Sequence, residues 1–214
     1  MRIAWDVSHQ EFTIEDHYYF SILKRGLVAK GAEVFELDVL RDVNERHVDV
    51  LVLNYPEKPF TRRDVEIISR FLHDGGRVLI FGYYSNEDNI AATVNSLTKH
   101  FGLVLRADKV YDPVNNENDD PYLIVTSRIY DFNNGVKKVL FPCSASIKIL
   151  SKDAVTVVEA EKTAKSTLGG KPILMAKIAF GRGTLILGGT CVFWDNFSIE
   201  KYDNKVFSLN LLLR

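Results

Sequence analysis

The stretch Asp6-Val7-Ser8-His9-Gln10-Glu11 sets a carboxylate, a hydroxyl, an imidazole and a second carboxylate side by side. Such groups can move a proton, orient a water or hold a cation. Asp6 and His9 together suggest a proton-transfer dyad, but a hydrolase built on it needs a nucleophile or activated water within reach, and no motif supplies one. His9, Glu11, Asp16 and His17 do not follow the His-Glu-x-x-His spacing of a zinc helix, and His17 falls inside the following helix. No metal ligand set and no cofactor is therefore assigned. The Asp112, Glu117, Asp119 and Asp120 segment lacks the ligand period and central glycine of a calcium loop, so it is expected to be solvated. Gly181-x-Gly183 precedes a strand instead of opening a helix, which excludes a dinucleotide fingerprint. Cys143 and Cys191 cannot build a disulfide framework or a four-thiolate site and are expected to be inert.

The elements that position these groups alternate in the first hundred residues. Arg2 to Trp5 begins a strand; Thr13 with Asp16 resembles a capping box, and Ile14, Tyr18, Ile22 and Leu23 continue a helical period until Gly31. Glu33 to Leu37 is a second strand. Val48 to Leu53 is apolar without alternation, as in a parallel strand covered on both faces. Thr61 with Asp64 repeats the capping pattern ahead of Val65, Ile68 and Leu72, and Gly75 with Gly76 separates that helix from the strand Arg77 to Phe81. A third helix carries Ile90, Val94, Leu97 and Phe101 and ends at Gly102. Beyond it, β runs are expected over Leu123 to Ile129, Val139 to Phe141, Ile147 to Leu150, Ala154 to Ala160, Pro172 to Ala179 and Thr184 to Leu187. Gly169-Gly170 and Gly181 with Gly183 are expected hairpin turns, and a helix from about Tyr202 offers Val206, Leu209, Leu212 and Leu213 as its apolar stripe.

The pattern predicts a single α/β domain over residues 1–214: a doubly wound, mostly parallel sheet extended by antiparallel strands in the second half. Ligands of open parallel sheets bind outside the carboxyl ends of the strands. That rule nominates Asp6, Ser8 and His9 together with Asn54, Tyr55, Tyr83, Tyr84 and Asn86. Trp194 joins them from the aromatic exit Val192-Phe193-Trp194-Asp195-Asn196-Phe197. A triple replacement of His9, Asn54 and Tyr84 by alanine is expected to spare folding.

Composition narrows the partners. With 27 basic and 28 acidic residues, the formal net charge is −1, so no nucleic-acid partner is expected. No segment approaches a membrane span, and the amino terminus enters a strand without a leader, so a cytoplasmic location is expected. The expected partner is a protein or a small-molecule ligand, with a homodimer among the options.

The run Pro56-Glu57-Lys58-Pro59-Phe60-Thr61, the helix ending Phe71-Leu72-His73-Asp74-Gly75-Gly76, and the strand Arg77 to Phe81 resemble the GIFT domain of the class I glutamine amidotransferase-like superfamily. That domain occurs in an intraflagellar-transport scaffold subunit and in auxiliary proteins of gliding-motility ABC transporters. Asn89 to Gly102, and the stretch from Phe180-Gly181-Arg182-Gly183 through Asn196, continue the likeness. Thr190 stands where such relatives often carry aspartate. The resemblance implies an amidotransferase-like fold and a missing enzyme. Active members hold a cysteine in a sharp strand-to-helix turn, whereas the turn here is Gly82-Tyr83-Tyr84-Ser85-Asn86. A non-catalytic ligand- or protein-binding module is thus expected, without glutamine hydrolysis; the alternative is a small-molecule hydrolase using Asp6 and His9.

Overall fold

A computed structural model describes residues 1–214. The chain forms β1 (Arg2–Asp6), α1 (His17–Ala29), β2 (Glu33–Leu37), β3 (Val50–Asn54), α2 (Arg62–His73), β4 (Arg77–Phe81), α3 (Ile90–Thr98) and β5 (Leu103–Leu105). It continues through β6 (Val110–Tyr111), β7 (Asn116–Glu117), β8 (Asp120–Thr126), β9 (Val139–Pro142), β10 (Ile147–Ile149), β11 (Ala154–Glu159) and β12 (Lys165–Ser166). The last elements are β13 (Ile173–Phe180), β14 (Gly183–Gly188) and α4 (Asn204–Leu213). Seven strands make the central sheet in the order β11-β13-β14-β4-β3-β1-β2. The pairs from β14 through β2 are parallel, and β11 and β13 extend the sheet in antiparallel pairing. The molecule is therefore a mixed α/β protein with a mainly parallel sheet.

Every residue of β3 is buried, as its unbroken Val-Leu-Val-Leu run requires when both faces are covered. Helix α2 begins with the expected capping box: Thr61 Oγ1 accepts the Asp64 N–H, and the Asp64 carboxylate accepts the Thr61 N–H at 2.7 Å. Its apolar face lies over β4, β13 and β14. One continuous core of 57 buried apolar residues joins the parallel and antiparallel parts.

Local details differ from the sequence pattern. Helix α1 is capped by Asp16, whose side chain accepts the Tyr18 and Tyr19 N–H groups, so Thr13 and Asp16 form no capping box. Strand β14 leaves the antiparallel half and pairs in parallel with β4, in the middle of the sheet. Gly169 and Gly170 join β12 to β13, which do not pair with each other; Gly181, at φ +60°, does turn the β13–β14 hairpin. The face that α4 buries holds the expected Leu212, with Leu209 and Leu213 partly buried against the core, but also Asn204, Phe207, Ser208, Asn210 and Leu211, while Val206 is exposed. Asp112 is fully buried instead of solvated: it accepts the N–H groups of Val114 and Asn115 and the Thr163 hydroxyl.

Candidate functional site

The loop after β1 folds back on itself because its side chains replace missing backbone partners. Trp5 Nε1–H donates to the Phe12 carbonyl at 2.7 Å, and the Phe12 N–H donates to the Asn54 carbonyl at 3.0 Å, which pins the loop to the end of β3. Inside this turn, His9 Nδ1 lies 2.9 Å from Asp6 Oδ2, and the Ser8 hydroxyl lies 2.9 Å from Asp6 Oδ1 and 3.0 Å from His9 Nδ1. The His9 ring stacks on Phe60 at a centroid distance of 4.3 Å, and its Nε2 stands 3.6 Å from Asp64 Oδ2. Glu11 Oε2 accepts the His9 N–H at 2.9 Å, while Glu11 Oε1 is buried without a hydrogen-bond donor. Burial, then the neighbouring Asp6, push the Glu11 carboxyl up to about 10.

The dyad nominated from sequence thus forms, but as part of a closed knot. A serine–histidine–aspartate relay places hydroxyl and carboxylate on opposite ring nitrogens. Here Ser8 and Asp6 meet the same one, and the other nitrogen faces a carboxylate. The geometry does not activate Ser8 as a nucleophile.

The remaining nominated residues divide into wall and lining. Asn54 and Trp194 are fully buried, and Trp194 Nε1–H donates to Asn54 Oδ1 at 3.3 Å. Both are supports beneath the edge, so the triple replacement that includes Asn54 is expected to weaken folding, contrary to the sequence expectation. Asn86 Oδ1 accepts the Ala91 N–H at 2.9 Å and serves the first turn of α3. Tyr55 donates its hydroxyl to Asp88 Oδ2 at 2.8 Å; burial and that carboxylate hold its phenol well above the usual range. Tyr83 and Tyr84 meet edge to face at 4.7 Å, and the Tyr84 N–H donates to the Cys143 carbonyl. Burial and the adjacent Cys143 push the Tyr84 phenol up to about 12. Neither cysteine is hydrogen-bonded to a histidine.

At the carboxyl edge these elements enclose a crevice of about 360 Å³. Phe12, Tyr19, Tyr55 and Tyr83 give it aromatic faces; Glu87, Asp88 and Asp195 give it carboxylates, and no lysine or arginine lines it. Phe12 and Tyr55 stack at 4.8 Å, and Tyr18 with Phe197 continues the aromatic surface outward, both more than half exposed. Sequence reasoning missed Phe12, Tyr19, Glu87, Asp88 and Asp195. The aromatic exit containing Trp194 was the available signal, and its exposed member is Phe197 instead. A second crevice, of about 400 Å³, lies at the opposite edge; two of its basic side chains are engaged internally, Arg77 donating to the Leu211 carbonyl and Arg182 to the Asp74 carbonyl.

Asp195 carries a pH signature. Burial raises its carboxyl to about 6, against opposing N–H bonds from Phe197 and Ser198. A raised acid binds its proton more tightly in the folded state, so its contribution is complete below pH 3.8 and is lost as pH rises through about 6. The difference in stability between the parent and Asp195→Asn is expected to change by up to about 3 kcal/mol across that window, read from urea midpoints. A constant difference would refute the assignment.

The chain is thus a mixed α/β domain with a mainly parallel sheet and an aromatic, acidic crevice at its carboxyl edge. The family model described as the IFT52 GIFT domain matches residues 3–116, and the chain belongs to that family. An uncharacterized protein of Aquifex aeolicus (strain VF5) is 46% identical over 221 residues, covering 99% of this chain and 93% of its own. Among solved structures, the mmIFT52 N-terminal domain superposes with a TM-score of 0.79 at 19% identity, covering 96% of this chain and 93% of that one. A β-galactosidase from Bacillus circulans sp. alkalophilus contains a similar fold: TM-score 0.54 at 12% identity, over 98% of this chain but 30% of the enzyme. These structural likenesses speak for the fold. No helix is long and apolar enough to cross a membrane.

Proposed function

We propose that this GIFT-domain protein is a non-catalytic module that docks a protein partner at the carboxyl edge of its sheet, with a basic side chain of the partner entering the crevice. The observation that carries the reading is the crevice lining: aromatic faces beside Glu87, Asp88 and Asp195, with no cation of the chain's own. An ammonium or guanidinium is attracted both to carboxylates and to aromatic faces. The exposed rings of Tyr18 and Phe197 extend the contact beyond a small molecule's reach, which favours a macromolecule over a free ligand.

The tyrosines at the turn after β4 agree with an amidotransferase-like scaffold that has lost its nucleophile. The crossovers from β1 to β2 and from β3 to β4 run in opposite directions along the sheet, as in doubly wound folds. A cytoplasmic location agrees with the same reading. The hydrolase built on Asp6 and His9 is disfavoured because Ser8 and Asp6 share one ring nitrogen, the other faces Asp64, and the ring is buried against Phe60, which leaves neither nitrogen open to a substrate or an attacking water.

Backbone-amide NMR with short arginine- or lysine-containing peptides tests the docking chemistry. Shifts are expected at Phe12, Tyr19 and Asp88 with basic peptides and not with acidic ones, and an E87Q/D88N double variant is expected to lose them. Both residues are exposed, so the variant is expected to stay within about 0.5 kcal/mol of the parent. Shifts scattered over the surface, or equal shifts with acidic peptides, would overturn the proposal.

A further inference from the structure

The knot after β1 contains two carboxylates that no lysine or arginine neutralises. The Asp6 and Glu11 side chains are fully buried, and the charged contact they share is His9. Burying two carboxylates a few ångströms apart is costly unless something positive, a proton or a metal ion, sits between them. One ligand atom from each of Asp6, His9 and Glu11 falls within 4.8 Å of the others. His9 Nδ1 is 2.9 Å from Asp6 Oδ2 and 3.8 Å from Glu11 Oε1. Donors about 2.1 Å from a tetrahedral ion lie roughly 3.4 Å apart, so only small side-chain movements separate this arrangement from a coordination shell.

Glu11 Oε1 supplies the independent indication. Its companion oxygen is fixed by the His9 N–H, which turns Oε1 inward, and there it is sealed from solvent with no donor in reach. Such an orphaned acceptor in a well-packed interior calls for a partner. Metal-binding histidines generally turn their other ring nitrogen toward a carboxylate, and a carboxylate stands on that side here, just beyond direct hydrogen-bond length. Nε2 faces the carboxylate of Asp64 at 3.6 Å, Asp64 is itself held by Thr61 in the cap of α2, and Phe60 stacks on the ring.

We propose that Asp6, His9 through Nδ1, and Glu11 bind one divalent first-row transition cation, of which zinc is the natural probe. Two carboxylates balance the ion's charge, so the buried assembly becomes neutral. One imidazole in a set of three favours zinc, manganese or iron over magnesium or calcium, which prefer shells of oxygen alone. Ser8, 3.0 Å from Nδ1, is placed to donate to Asp6 and orient it. The ion would tie the β1 loop, through His9 and Asp64, to the start of α2. This differs from the sequence expectation of no metal, because the spacing of Asp6, His9 and Glu11 follows a folded loop and not a helix.

The test uses the full chain, stripped with a chelator and titrated with Zn²⁺ and, separately, Mn²⁺ and Mg²⁺. One equivalent of Zn²⁺ is expected by calorimetry, with a rise in melting temperature at 100-fold excess over Kd corresponding to an apparent stabilisation of about 2.7 kcal/mol. Glu11→Gln keeps the shape of the protonated acid while losing a ligand charge, and is expected to weaken Zn²⁺ binding about 100-fold or more. Should that variant fold poorly, the parent loaded with Co²⁺ decides by itself: visible d–d bands without a thiolate charge-transfer band are expected. Absence of saturable binding by both Zn²⁺ and Mn²⁺, undiminished binding by E11Q, or a thiolate band would overturn the proposal and leave a proton as the neutralising partner.

Discussion

Replacing Trp194 by alanine is expected to destabilise the fold by about 3–5 kcal/mol, the range for deleting a buried large aromatic. Trp194 is fully buried, with Phe81 at 4.4 Å, Phe193 at 4.9 Å and Trp5 at 5.3 Å between ring centroids, so no neighbour can close the cavity without leaving another. Its removal also takes the indole donor from Asn54 Oδ1, a buried acceptor at the end of β3. The melting temperature is expected to fall by about 10 °C or more for a chain of this size. A variant that melts like the parent and loses partner binding would instead make Trp194 an exposed contact residue.

Gly189→Ala is expected to be comparably severe for a different reason. A Cβ there would lie 2.0 Å from the Ala145 carbonyl oxygen and 2.5 Å from Ser144 Oγ. The carbonyl belongs to a backbone segment already bonded to Gly189, since the Ala145 N–H donates to the Gly189 carbonyl at 2.9 Å. Relief therefore requires moving the chain after β9 away from the centre of the sheet, at an expected cost of about 3 kcal/mol or more. Gly26→Ala is the matched control. Inside α1 its Cβ would meet Leu209 at an ordinary 3.6 Å, and removing glycine from a helix interior is expected to stabilise by about 0.5–1 kcal/mol. Opposite shifts of the two denaturation midpoints are the expected result; a neutral Gly189→Ala would contradict the packing described.

Much of the parallel half was legible because its signals are local. Thr61 with Asp64 is a cap that forms in sequence order, and the unbroken runs of β3 and β4 need only two covered faces to be explained. The apolar stripe expected on α4 holds at Leu212, with Leu209 and Leu213 packed against the core, and fails at the exposed Val206, because polar residues take part in the buried face. Asn204 bonds the Phe193 carbonyl and the distant Leu140 backbone, and Asn210 bonds the carbonyls of Phe132 and Asn134, also far away in sequence. The insertion of β14 beside β4 is likewise a long-range pairing with no local mark.

The candidate site was legible as a location more than as a set of side chains. Asp6, Ser8 and His9 were found by proximity in sequence, and they do converge. Glu11 was not assigned a role, since a glutamate beside Phe12 in a polar stretch gives no sign of burial; that comes from the loop folding back onto β3 and Phe60. Glu87 and Asp88 escaped notice because the turn after β4 adopts positive φ at Ser85, Asn86 and Asp88, a course that residue type alone does not specify.

The proposed docking puts the partner against the carboxyl edge of the sheet, beside Phe12 and the acidic pair Glu87 and Asp88. A photo-crosslinking residue placed at Phe12 in the cells that express the protein measures this most directly, with the same residue at Val155, exposed on the edge strand β11, as the reference position. The predicted result is a discrete protein adduct from Phe12 that disappears in the E87Q/D88N background and is absent from Val155. Equal adducts from both positions, or a Phe12 adduct indifferent to the acidic pair, would exclude docking at this edge.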